Sequence, residues 1–247
     1  MPLPGWRGQS GDAPAMRWFA ISGTVVAIIP AGALFGIPGH AHRFRLALEV
    51  DTPEGARTAS SVIEVHRDSG AITHGFSVRG EGVFLDLGGG RNVVATLHHG
   101  DNAEWVDRII SFWVEAYGRG HFDDRVWSGW DKLRGVVELQ PPLIPTLVTF
   151  ADPLNPTTVR VVRPYAFEEA FGPGYRLRRA TVEVLPNGWW PASALGLSTG
   201  EPVIRGVIEK RLPWLVGMTT NLAGKRNAST NDVRERLTPL SFRRRDP

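Results

Sequence analysis

The sequence predicts a sheet-dominated α+β body of about eight mostly antiparallel strands with two or three helices, preceded by a hydrophobic N-terminal helix. Three observations carry that prediction. Apolar and polar residues alternate at period two in short runs between residues 43 and 185, glycine and proline clusters separate those runs, and one uncharged stretch, Trp18–Ile37, stands apart near the N-terminus.

That stretch holds twenty residues and no charge, and fourteen of its side chains are apolar. A bilayer core of ~30 Å needs ~20 predominantly apolar residues in a helix, so its length suffices for one span. Met16-Arg17 ahead of it resembles the charged start of a signal peptide, with Gly39-His40-Ala41 as small residues for cleavage. On that reading the chain starts at Met16; on a second the segment stays as a membrane anchor, and on a third it is a buried helix. Residues 1–41 are therefore expected to be a signal peptide or anchor, 42–215 the β-rich domain, and 216–247 a polar, basic and flexible tail.

The body opens with Phe44, Leu46, Leu48 and Val50 alternating with Arg43, Arg45 and Glu49, a half-buried strand. Thr52-Pro53-Glu54-Gly55 supplies a turn and Ser61–His66 a return strand. A second hairpin follows from Val83, Leu85 and Leu87, then Gly88-Gly89-Gly90, then Val93–Leu97. Val106, Ile109, Ile110, Trp113, Val114 and Tyr117 share one helical face, with Asp101 and Glu104 as a capping box and Gly118 at the end. Leu133–Leu139, Leu147–Phe150 and Val159–Val162 are further strands. Tyr165–Phe171 is a short helix between Pro164 and Gly172-Pro173. Tyr175–Leu185 is a strand whose alternation slips at Arg178-Arg179, the mark of a bulge. Val203, Ile204, Val207, Ile208 and Leu212 predict a last helix stopped by Pro213.

Composition excludes several classes. There is no cysteine, hence no disulfide, thiolate metal site or cysteine nucleophile. A net charge of +3 hides a basic end: residues 205–247 carry ten Lys/Arg against four acids, while the middle of the chain is mildly acidic. That end is a candidate surface for anionic lipid headgroups or cell-wall polymer. Nucleic acid is disfavoured, because no recognition motif or interleaved aromatics accompany the charges.

Two constellations are candidate sites. Val83–Gly90, with Asp86 ending a strand before Gly88, Gly89 and Gly90, resembles the first phosphate loop of the actin, sugar-kinase and exopolyphosphatase superfamily. That resemblance implies backbone amides around phosphate and Asp86 on a metal; it covers only this segment, and no second phosphate loop follows. His98, His99 and Asp101 are side chains of a type that bind zinc, without the spacing of a known zinc motif. No G-x-S-x-G elbow is present. Trp127, Trp130, Trp189 and Trp190 fall in expected loops, where they plug the sheet ends or meet a ligand.

Residues 43–65, 147–162, 171–184 and 208–215 together resemble a group of bacterial proteins of unassigned activity that carry a short hydrophobic N-terminal segment ahead of the same body. The resemblance implies one recurring unit behind an export or anchoring device, and no catalytic residue. The expectation is an envelope protein, membrane-anchored or exported, whose body is a non-enzymatic binding or structural module with no cofactor and an envelope protein as possible partner. The alternative is a phosphate-handling hydrolase or kinase-like enzyme built on Asp86 and Gly88–Gly90.

Overall fold

Strict alternation fixes the first strand. Along β1 (Ala41–Thr52), Phe44, Leu46, Leu48 and Val50 are buried while Arg43, Arg45, Glu49 and Asp51 occupy the opposite face. A turn at Pro53-Glu54 joins it to β2 (Gly55–Ser69), with Thr52 opposite Gly55. A slip of one residue would drive Arg43 and Arg45 into the core, so this register is strongly specified. The structure, a computed structural model, describes residues 41–69, 74–99, 133, 135–141, 143–186, 202–226 and 232–244.

Among these residues are ten strands in two antiparallel sheets and three short helices, in agreement with the expected sheet-dominated α+β class. The remaining strands are β3 (His74–Glu81), β4 (Val83–Gly88), β5 (Arg91–His99), β6 (Val136–Glu138), β7 (Pro145–Phe150), β8 (Val159–Val162), β9 (Arg176–Leu185) and β10 (Arg243–Arg244). The helices are α1 (Phe167–Phe171), α2 (Val207–Arg211) and α3 (Val233–Arg236). One sheet runs β10-β3-β2-β1-β9-β6 and the other β4-β5-β7-β8.

The two sheets pack face to face. Phe44, Leu46, Leu48, Ile63 and Val182 of the first meet Val83, Leu85, Val93, Leu97 and Leu147 of the second in one apolar cluster. The slip read at Arg178-Arg179 is a β-bulge: Glu49 pairs with Arg179 and Val50 with Leu177, leaving Arg178 as the extra residue. Both arginines therefore reach Glu49, at 2.8 and 2.6 Å.

The four-stranded sheet is buried on its other face as well. Val94, Val148, Phe150 and Val159 lie under Ile208, Leu212, Leu215, Leu222, Leu237 and Phe242. Phe150, Trp214 and Phe242 form an aromatic trio with centroids 5.6 to 6.0 Å apart. This departs from the expected loose tail beyond residue 215. Leu222, Leu237 and Phe242 lack periodicity because short turns, not a helix or long strand, carry them inward. Polar contacts pin the layer: Arg243 pairs with Glu209 and donates to the Leu215 carbonyl, and Gly82 N–H donates to the Phe242 carbonyl at 2.8 Å.

The last helix is shorter than its apolar spacing suggests. α2 starts only at Val207, because the buried Glu81 carboxylate accepts the backbone N–H groups of Gly206, Val207 and Ile208 and so sets its first turn. Upstream, Ile204 N–H donates to the Val62 carbonyl, an extended contact beside β2. The hydrophobic run Trp18–Ile37, the helix expected around residues 103–117, and Trp127, Trp130, Trp189 and Trp190 lie outside the described residues. Among the described residues no helix is long and apolar enough to cross a membrane.

Candidate functional site

Gly88, Gly89 and Gly90 form the tip of the β4–β5 hairpin. Gly88 pairs with Arg91, leaving Gly89 (φ 59°) and Gly90 (φ 77°) as a two-residue loop with both central residues left-handed, the geometry that suits strand twist. Gly88 is left-handed too, where the register shifts after Asp86. The glycines are thus accounted for by the turn. Asp86 Oδ1 accepts the Gly88 N–H at 2.9 Å, and its other oxygen lies 3.9 Å from Arg211 Nη1. The carboxylate is exposed and engaged with its own hairpin and with α2.

The histidine constellation divides. His98 is buried at 7% exposure, with neither ring nitrogen hydrogen-bonded among the described residues. Burial, with the Arg244 charge adding to it, lowers its pKa from 6.5 to about 4, so the ring is neutral at pH 7. His99 ends β5 opposite Pro145, and Asp101 lies outside the described residues. Among the described residues no three His, Asp or Glu side chains are grouped to hold a metal ion.

The arginines of the six-stranded sheet are largely matched by carboxylates on its outer face. Arg43 reaches Glu64 at 2.6 Å, Arg45 pairs with Glu183, and Arg178 bridges Glu49 and Asp51 at 2.8 Å each. Hydrogen bonds from Arg178 and Arg179 hold Glu49 below the usual carboxylate range, and Arg176 does the same for Asp51. Part of the basic C-terminal end is matched likewise, through Lys225 with Glu235 and Arg234 with Asp232.

A recess at the edge of the smaller sheet is different. It has a volume of about 460 Å³ and is lined by Thr149, Arg160, Arg163, Ala166, Glu169 and Ala170, among others. Its position follows from the strand register. Thr149 faces Arg160 across β7–β8, two residues beyond the buried Leu147–Val162 pair on the same face, so the recess begins where the inter-sheet core ends. Helix α1 closes the other side. Phe167 and Phe171, four apart, face the core with their tilted rings 5.5 Å apart, while Ala166 and Ala170, also four apart, leave room beside the sheet. Gly172 (φ 104°) ends the helix as the sequence predicts.

The charges in this recess are not matched to one another. Among the described residues neither Arg160 nor Glu169 makes an ion pair, and Arg163 donates only to the Tyr165 hydroxyl, at 3.0 Å. Tyr165 is 79% exposed. Thr149, 6% exposed overall, also lines the recess, and its hydroxyl makes no hydrogen bond among the described residues.

Comparison with known protein families, curated proteins and solved structures finds no match for this chain.

The residues singled out in the sequence are not brought together: Asp86 and the glycines sit at a hairpin tip, and His98 is enclosed beside Arg244. Glu168-Glu169 reads in sequence as a solvated carboxylate pair, and the two do diverge: Glu168 accepts from Gly174 N–H while Glu169 faces the recess. Arg160 carries one signal, a charge inside a four-residue apolar strand, which an edge strand tolerates and an interior strand does not.

Proposed function

We propose that this chain is a binding module of the bacterial cell envelope, with residues 1–41 as its export or anchoring device and the body as a ligand-binding unit without catalytic activity. The observation that carries the binding half is the recess between β8 and α1, where Arg160, Arg163, Glu169 and Thr149 line one concavity. Such groups hold and orient a charged ligand, and concave sites of ~300–1,000 Å³ are the usual size for small ligands. The uncharged run Trp18–Ile37 and the resemblance to proteins with the same N-terminal arrangement support the envelope half. The charges of the basic end that make no ion pair among the described residues, such as Lys210 and Arg226, are suited to anionic lipid headgroups or cell-wall polymer.

Fractionation of cells expressing the full chain tests this reading. The protein is expected in the membrane or periplasmic fraction, and removal of residues 1–41 should shift it to the cytosol. Recovery of the full chain in the cytosol overturns the envelope assignment.

A further inference from the structure

We infer that the β8–α1 recess receives a short peptide with free termini, its carboxylate held by Arg160 and Arg163 and its ammonium group by Glu169. The inference rests on reading the recess as a binding site and adds the class of ligand.

Three observations converge on a ligand of two charges. First, cationic and anionic side chains line the same concavity without pairing to each other among the described residues, although carboxylate partners engage most of the arginines on the sheet face. A purely anionic ligand would meet Glu169, and a purely cationic one would meet two guanidinium groups, so each leaves one wall opposed by like charge. A zwitterion matches both walls. Second, the Arg163 guanidinium is held by the Tyr165 hydroxyl at 3.0 Å, which limits the freedom lost when it takes a carboxylate. Third, Thr149 lines the recess and its hydroxyl makes no hydrogen bond among the described residues, although the residue is 6% exposed. A hydroxyl both donates and accepts, and a peptide amide placed between two charged ends offers the complementary groups. The volume of about 460 Å³ accommodates more than a single small amino acid.

Calorimetric titration of the full chain with L-alanyl-L-alanine, its N-acetyl form and its C-terminal amide tests the inference. The free dipeptide is expected to bind saturably, and each blocked form at least about tenfold more weakly, since one charge-assisted contact is lost in each. Glu169→Gln should abolish discrimination against the N-acetyl form only, and Arg160→Ala should weaken discrimination against the amide only. All three side chains are exposed at the rim, so unfolding midpoints equal to the parent's are expected and are measured alongside. Absence of saturable binding by the free dipeptide overturns the inference. So does equal binding of all three peptides, or discrimination unchanged in both variants. A chain that fractionates with the envelope yet ignores the dipeptide disproves the ligand class alone; a cytosolic chain that binds it through Glu169 disproves the envelope assignment alone.

Discussion

Buried polar side chains differ here in whether they have partners, and that difference sets their energetic sign. Asn92, 2% exposed, donates to the Phe150 carbonyl at 2.8 Å and accepts its N–H at 3.0 Å, so one side chain replaces a missing rung between β5 and β7. His98 is the opposite case, enclosed and unbonded among the described residues. Its folded pKa of about 4 lies below the unfolded value of 6.5, so the unfolded chain binds the proton more readily between those limits. Stability from this residue is complete above pH 6.5 and declines as pH falls towards 4, by a few kcal/mol at most. Denaturant midpoints measured across that range should fall in the parent and fall less in His98→Leu. An identical slope in the variant would refute the assignment. Nothing in the local sequence distinguishes His98 from an exposed histidine, because its burial comes from tertiary packing and the charge that acts on it, Arg244, is distant in the chain.

Elements show where local chemistry suffices. The β4–β5 hairpin is legible because Gly89 and Gly90 supply two consecutive left-handed residues between alternating runs. Gly90→Ala meets no neighbouring atom, so backbone strain alone should lower stability, by about 1 kcal/mol. Gly90→Asn, which tolerates the left-handed region, should lose less. Equal losses in equilibrium unfolding would show that the turn is not what the glycine serves. The β9 bulge is legible for the same reason, since two adjacent arginines break a period of two. β3 is less so: Gly75 and Gly80 interrupt its pattern, and its pairing with β2 and β10 makes it a strand. α2 shows the reverse error, an apolar spacing suited to a longer helix that the Glu81 carboxylate begins at Val207.

At the scale of the whole molecule, the C-terminal residues complete a third layer. Phe242 is fully buried against Phe150 and Trp214, and Leu222 and Leu237 cover the same sheet face. Phe242→Ala is therefore expected to cost about 3–5 kcal/mol, and truncation after Leu215 should expose the face bearing Val94 and Val148 and cause aggregation. A change within about 0.5 kcal/mol, the scale of a surface substitution, would contradict this packing. By itself the sequence determined the strands of β1, β2 and β4 to β9, their turns and the short helix α1, since period-two alternation and turn residues act over a few neighbours. Only the tertiary structure decided that Leu222, Leu237 and Phe242 contribute to the core, that Asp86 lies near Arg211 of α2, and that Thr149, Arg160 and Glu169 share one recess. Those outcomes depend on which faces meet at long range, and a window of local sequence contains no record of its distant partner.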